Sequence, residues 1–499
     1  MTTQVRPSRT ADPRLGEVHP HHERRWLILA VLGLAQLMVV LDATIVNIAL
    51  PSAQQALGFS NGDRQWIVTG YALAFGALLP LGGRVGDLIG RKNSLLIGLI
   101  GFALASAVGG AAQGFGMLVT ARAAQGVFGA LLAPAVLSLL TTTFADAKER
   151  AKAFGIYGAI AGAGGAIGLL LGGVLTEYLN WRWSLYVNVI FAVAAAIGGV
   201  LLLVNQRAGQ SNRLDVPGAL TVSAGLFAVV YGFANAESHA WSDVKVWGWL
   251  TAAGILLAAF VAIQSRVANP LIPLRVLLDR ARGGALLAVL LLGIGMFAVF
   301  LFLTYYLQQN LGFSPIRSGV AFLPMIGALS VTATVATSLV VPRVGARPLI
   351  PAGFLLGSAG MLWLTQLGTG SSYAGNVLGP LLIMGVGIGL AMAPAMTAGT
   401  SGVGPEDAGV ASALVNTAQQ VGGSVGTAVL SSIAASSLTD YLVGKAATPA
   451  TMAAATIHSY TTTFAWVAGF FALGAIVSGL LLPSGPLRTD PDAVPAAHI

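Results

Sequence analysis

Residues 26–50 read WLILAVLGLAQLMVVLDATIVNIAL, an apolar run with a single charge, Asp42, inside it. About 20 apolar residues, rising 1.5 Å each, cross the roughly 30 Å hydrocarbon core of a bilayer as a helix. A carboxylate at the centre of such a run costs about 2.5–3.5 kcal/mol on insertion scales. It is therefore kept only where it faces other helices or a water-filled path. This one stretch points both to the environment of the chain and to the place where its chemistry belongs.

The pattern recurs along all 499 residues. Apolar runs broken by short polar loops predict helices near 26–50, 66–83, 94–113, 117–143, 153–176, 183–204, 216–236, 246–266, 283–309, 317–341, 348–367, 375–399, 408–436 and 459–482. The expected fold class is an all-α polytopic membrane protein with fourteen transmembrane helices. Only 9% of residues are charged, against about 25% in soluble domains, too few to cover a water-facing surface. The first run is too long for a signal peptide. The absence of cysteine excludes disulfides, thiol catalysis and Cys-ligated metals.

The net charge of +8 has a topological reading. With a cytoplasmic N-terminus, only Arg64, Arg182, Lys245, Arg317 and Lys445 fall in outside loops and Arg122 falls within a span. The other 20 of the 26 cations are then inside. That bias predicts a multi-pass protein of the cell membrane with both termini cytoplasmic. With no solvated domain to present a basic face, nucleic acid is not an expected partner; the lipid bilayer is.

Asp42 and Arg122 are the two charges well inside spans. Asp42 lies about 12 Å below the outer end of helix 1, and Arg122 about 8 Å below the outer end of helix 4. At similar depth they can meet, and Gln125 shares the Arg122 face. One reading is a structural ion pair that orients two helices. The other is a proton site: burial and a nearby guanidinium together set a carboxyl group's proton affinity, and alternating access lets it load and unload.

Other chemistry lacks its residues. There is no phosphate-binding G-x-x-x-x-G-K-[ST] loop. No cluster has metal-ligand spacing, since His19, His21 and His22 sit in the polar tail. No nucleophilic triad is placed to act. Neither an enzyme, a cofactor nor a metal site is expected.

Four stretches carry a family resemblance. Leu41-Asp42-Ala43-Thr44-Ile45-Val46-Asn47-Ile48-Ala49-Leu50-Pro51 in helix 1 is the most specific. Gly83-Arg84-Val85-Gly86-Asp87-Leu88-Ile89-Gly90-Arg91-Lys92 joins helices 2 and 3, with a degenerate copy at Pro342-Arg343-Val344-Gly345-Ala346-Arg347-Pro348. Leu118, Arg122, Gln125, Gly126 and Gly129 mark helix 4. Gly158, Gly162, Gly164, Gly165, Gly168, Gly172 and Gly173 stripe helix 5, with Leu169 where the pattern usually has proline. Together these resemble the major facilitator superfamily, in particular its fourteen-helix drug:proton antiporter branch. Trp181-Arg182-Trp183, Asn188 and the run Gly404-Pro405-Glu406-Asp407 resemble it too.

The resemblance implies two six-helix bundles, 26–206 and 283–482, with two inserted helices and a linker at 207–282 and cytoplasmic tails at 1–25 and 483–499. It implies proton coupling through Asp42 and Arg122. Gating would fall to Gly83, Asp87, Gly90 and Arg91 and to Gly164, Gly168, Gly172 and Gly173. Arg91 and Lys92 are expected to pair with nearby acids. Helix position suggests Gln125, Tyr71, Phe75, Phe300, Tyr305, Asn416 and Gln420 as cargo-lining groups. The expected activity is proton-driven export of hydrophobic or amphipathic small molecules by a monomer. The alternatives are a dedicated exporter of one endogenous metabolite, antibiotic or lipid, and a non-transporting membrane sensor or scaffold.

Overall fold

The computed structural model describes residues 24–60, 62–144, 146–204, 215–236, 243–267, 270–403, 408–446, 448–483 and 485. Most of both tails, Arg207, Arg213, Glu237, His239, Trp241 and the run 404–407 lie outside the described residues, as does the side chain of Asp87.

Among the described residues fourteen apolar helices follow one another: α1 (Arg25–Leu57), α2 (Arg64–Ile89), α3 (Arg91–Gly110), α4 (Phe115–Thr143), α5 (Ala147–Tyr178), α6 (Trp183–Leu202), α7 (Val216–Asn235), α8 (Val244–Gln264), α9 (Arg280–Asn310), α10 (Pro315–Val344), α11 (Leu349–Leu364), α12 (Tyr373–Thr400), α13 (Ala408–Leu442) and α14 (Pro449–Leu481). Thirteen are long and apolar enough to cross a membrane. The exception is α11, with 16 residues, or about 24 Å; Pro348 and the Gly368–Gly370 turn hem it in. Several helices outrun their apolar stretch, because hydropathy marks only the part in hydrocarbon. Thus α1 continues through Pro51, which removes one backbone donor, and stops at Gly58, where φ is +67°.

Packing repeats with a shift of eight helices. In the first bundle α1 packs on α4, α5 and α6, α2 on α4, and α3 on α4 and α6. In the second, α9 packs on α12, α13 and α14, α10 on α12, and α11 on α12 and α14. Two seams join the bundles, α2 against α13 and α5 against α10, and they are each other's counterpart under the same repeat. The inserted pair breaks this symmetry: α7 lies on the α2–α13 seam. There Ser223 donates to the Ala77 carbonyl of α2 (2.7 Å), and Ser432 of α13 donates to the Ala236 carbonyl (2.8 Å).

Arg84, Arg91, Lys92, Arg280, Arg282 and Arg347 gather at one end of the molecule, here called the basic end. The bundles lock together at the far end. Tyr305 donates to Gln54 (2.7 Å), and Gln308 to the Ile48 carbonyl (3.1 Å). Glu177 accepts the Ile316 amide in the first turn of α10 (3.0 Å), where a carboxylate complements the helix dipole. Toward the basic end Gly155, Gly162 and Gly165 of α5 face open space.

The turn between α2 and α3 rests on Gly90, at φ +92°, and its counterpart between α10 and α11 rests on Gly345, at φ +79°. Among the described residues Lys92 has no acid partner: it donates to the Val200 and Leu203 carbonyls (3.0 and 2.6 Å), capping α6. Replacing Gly90 by Ala is expected to cost about 1–3 kcal/mol, because the backbone region is closed to side chains. Gly83→Ala, whose methyl would meet Pro134 at an ordinary 3.6 Å, should leave stability unchanged. Thermal unfolding in detergent measures both, and equal losses would refute a backbone cause.

Candidate functional site

Asp42 is fully buried on α1, near the middle of the first bundle. Its position depends on close helix approach. Gly164, Gly168 and Gly172 of α5 lie against Leu37, Val40, Leu41, Thr44 and Ile45 of α1. A methyl on Gly172 would come within 2.9 Å of the Ile45 side chain and 3.0 Å of its carbonyl. Small residues thus let α1 settle deep enough for its one charge to meet its neighbours. On α4, Gly126 lies under the Tyr71 backbone of α2 in the same way.

Three side chains from two other helices donate to the carboxylate. Arg122 Nη1 reaches Oδ2 at 2.5 Å, while Gln125 Nε2 and Asn188 Nδ2 reach Oδ1 at 2.9 and 2.6 Å. A second ring of contacts holds these donors in place. Arg122 also donates from Nη1 to Gln125 Oε1 (2.8 Å) and from Nε to the Ile67 carbonyl (3.1 Å). Its guanidinium lies 4.4 Å from the Tyr71 ring centre. Gln125 donates to Ser106 (2.7 Å), whose hydroxyl in turn donates to the Phe102 carbonyl (2.7 Å). Arg122, Gln125, Ser106 and Asn188 are all buried. An acceptor-only carboxylate with every partner donating is the satisfied form of a buried charge.

A small cavity lies on the far-end side of this centre, lined by Val46, Leu50, Ile67, Leu118, Ser184 and Arg122 among others. It places open space against the guanidinium.

The other residues singled out from the sequence divide. Tyr71 and Phe75 stack on each other (5.8 Å) and pack inward on α4, against Arg122 and Gly129. Phe300 packs on Phe322 (5.3 Å) at the bundle junction. Tyr305 belongs to the far-end lock. Asn416 and Gln420 are half-buried on one face of α13, where Gln420 Cβ lies against Gly76 of α2. Gly173 packs on Pro315 and Ile316 of α10. Arg91 lies at the start of α3, and its Nε has no partner among the described residues. Asn188, known from sequence only through the family resemblance, and Ser106, which no sequence signal marks, complete the centre. Both sit within two turns of a helix end on the Asp42 side, and that shared depth is the one signal the sequence holds for them.

The sequence model of the Major Facilitator Superfamily matches residues 32–427, and the chain belongs to that family of multi-pass membrane transporters. It is 48% identical over 469 residues to the puromycin resistance protein pur8 of Streptomyces alboniger, covering 94% of this chain and 93% of that one. It is 37% identical to the cephamycin export protein CmcT of Amycolatopsis lactamdurans, over 92% of this chain and 94% of that one. Among solved structures it resembles an inward-facing, unoccupied bacterial homologue of the human lysosomal transporter Spinster, with a TM-score of 0.63 at 16% identity, over 92% of this chain and 96% of that one.

Removing one partner of a buried ion pair typically costs about 3–5 kcal/mol, because the other charge is left uncompensated. Arg122→Met is expected to lower the unfolding midpoint strongly. Adding Asp42→Asn should recover most of the loss, a coupling that a double-mutant cycle reads directly. Additive losses would show that the two charges are not energetically linked.

Proposed function

We propose that this protein is a proton-coupled exporter of small hydrophobic or amphipathic antibiotics, working as a monomer by alternating access. In this reading residues 26–206 and 283–482 are the two moving bundles, the basic end faces the cytoplasm and both termini lie there. The observation that carries it is the buried Asp42 centre. It is a buried charge held by three donors in one conformation, with a small cavity against its Arg122 partner on the far-end side.

The proposed cycle follows from the hydrogen bonds. A proton arriving at Asp42 Oδ2 takes the place of the Arg122 N–H. The ion pair between α1 and α4 is then lost, while Arg122 keeps Ile67, Gln125 and the Tyr71 ring. A weaker tie between these helices favours rearrangement of the first bundle against the second. The far-end lock and the α5 glycine seam are the contacts that must part or slide. The Asp87 loop and its Gly90 turn would gate the opposite, cytoplasmic end. Moving one charge through 100 mV supplies about 2.3 kcal/mol, enough for roughly fiftyfold accumulation.

The relatives, a puromycin resistance protein and a cephamycin export protein, favour an antibiotic cargo. They also support a narrower reading, in which the chain serves one antibiotic made by its own cell. A cargo panel separates the two readings.

In proteoliposomes with an imposed pH gradient, wild type should move puromycin in the export direction. Asp42→Asn should fall to the leak rate with its fold retained by circular dichroism. Full transport by the Asn variant would remove Asp42 from the coupling.

A further inference from the structure

At the Asp42 centre the carboxylate is held by three donors, and Asn188 Oδ1 and the Tyr71 hydroxyl are left without partners among the described residues. Nearer the far end of α2 a second set of buried polar atoms has no partner at all among those residues. Gln65 and Thr69 are each 1% exposed. Neither amide atom of Gln65, nor the Thr69 hydroxyl, has a hydrogen-bond partner among the described residues. Four residues apart, they share one helical face. Followed toward the basic end, that face meets the second bundle: Gly76 lies against Gln420 of α13, with 3.0 Å between the Gln420 Cβ and the place a Gly76 Cβ would take. Ser431, whose buried hydroxyl also lacks a partner among the described residues, lies as far from Gln420 along α13 as Gln65 lies from Gly76 along α2.

Buried polar atoms without partners are uncommon and unfavourable in proteins. By helix period Gln65 and Thr69 fall on the face that meets α13 at Gly76, toward the end that the far-end lock shuts. The neighbouring Arg64 shows how that lock is built. Its guanidinium lies 4.2 Å from the Tyr305 ring centre, 5.7 Å from Phe302 and 5.9 Å from Tyr460, all on the second bundle.

We propose that Gln65 and Thr69 line the release path of the outward-open state, as a hydrogen-bonding face for water and for amide or hydroxyl groups of departing cargo. In the present conformation that face is covered and unsatisfied. When the far end opens, both residues gain partners, so their burial biases the closed end toward opening. The inference rests on the alternating-access reading above, but its test needs neither a proton gradient nor a known cargo.

The chain has no cysteine, so single-cysteine labelling has no background. In right-side-out vesicles, Thr69→Cys is expected to react with a membrane-impermeant maleimide added outside. The rate should rise several-fold when Tyr305→Phe removes the hydroxyl that holds Gln54. No reaction in either background, while Ser60→Cys in the exposed loop is labelled, overturns the proposal. Gln65→Leu, which removes the unsatisfied amide at similar size, should raise the unfolding midpoint in detergent. A lowered midpoint would mean that the amide is bonded and structural, and would equally overturn it. Labelling at position 69 with no gradient-driven transport by wild type would instead sink proton coupling, and leave standing alternating access with this face in its outward-open state.

Discussion

A carboxylate held away from water in a helix bundle must have every lone pair answered, and much of the first bundle is arranged around that requirement. Asp42 on α1 draws Arg122 and Gln125 from α4 and Asn188 from α6. Ser106 on α3 and the Ile67 carbonyl on α2 then fix those donors. Five of the six helices contribute an atom. The sixth, α5, contributes the absence of side chains: its glycines let α1 lie close enough for the set to close. Hydrogen bonding and small-residue packing are here one device, because a bond of 2.5–2.9 Å between helices exists only if their backbones approach.

The two bundles share a packing scheme but not a chemistry. Pairings in α1–α6 recur in α9–α14, yet no described acid lies within the core of a second-bundle helix. Buried hydroxyls there, such as Thr427, Ser424 and Thr463, bond mainly to carbonyls of their own helix. The second bundle supplies apolar bulk and the aromatic partners of the far-end lock. The π-helical turns of α9, Val299–Leu303 and Tyr306–Asn310, flank Tyr305 and include Gln308. The inserted pair adds a further asymmetry, since α7 bridges one seam and, among the described residues, no equivalent helix lies on the other.

Several sequence expectations met different partners in space, for related reasons. Charge alone pairs Lys92 with an acid, whereas its ammonium reaches the last carbonyls of α6. Place along α2 alone puts Tyr71 and Phe75 at a cargo pocket, whereas in this conformation the helix turns that face toward α4. In a membrane both lipid and protein interior are apolar, so hydropathy reports depth well and facing poorly. Arg122 was legible because a charge in a span must find a charge at equal depth. Asn188 and Ser106 were less so, because a neutral polar side chain can bond within its own helix.

The sequence by itself determined the environment of the chain, the number and order of its helices, the separation of its charges between loops and the one depth at which an acid and a base could meet. All of these are properties of position along the chain, and hydropathy, charge and rise per residue read them directly. Tertiary structure alone decided which side chains complete the Asp42 centre, which end of the molecule is shut, which seam the inserted helices cover and which polar face of α2 is left without partners. These depend on how far backbones can approach and on which way each helix is turned, and a glycine records the first only once its neighbour is known.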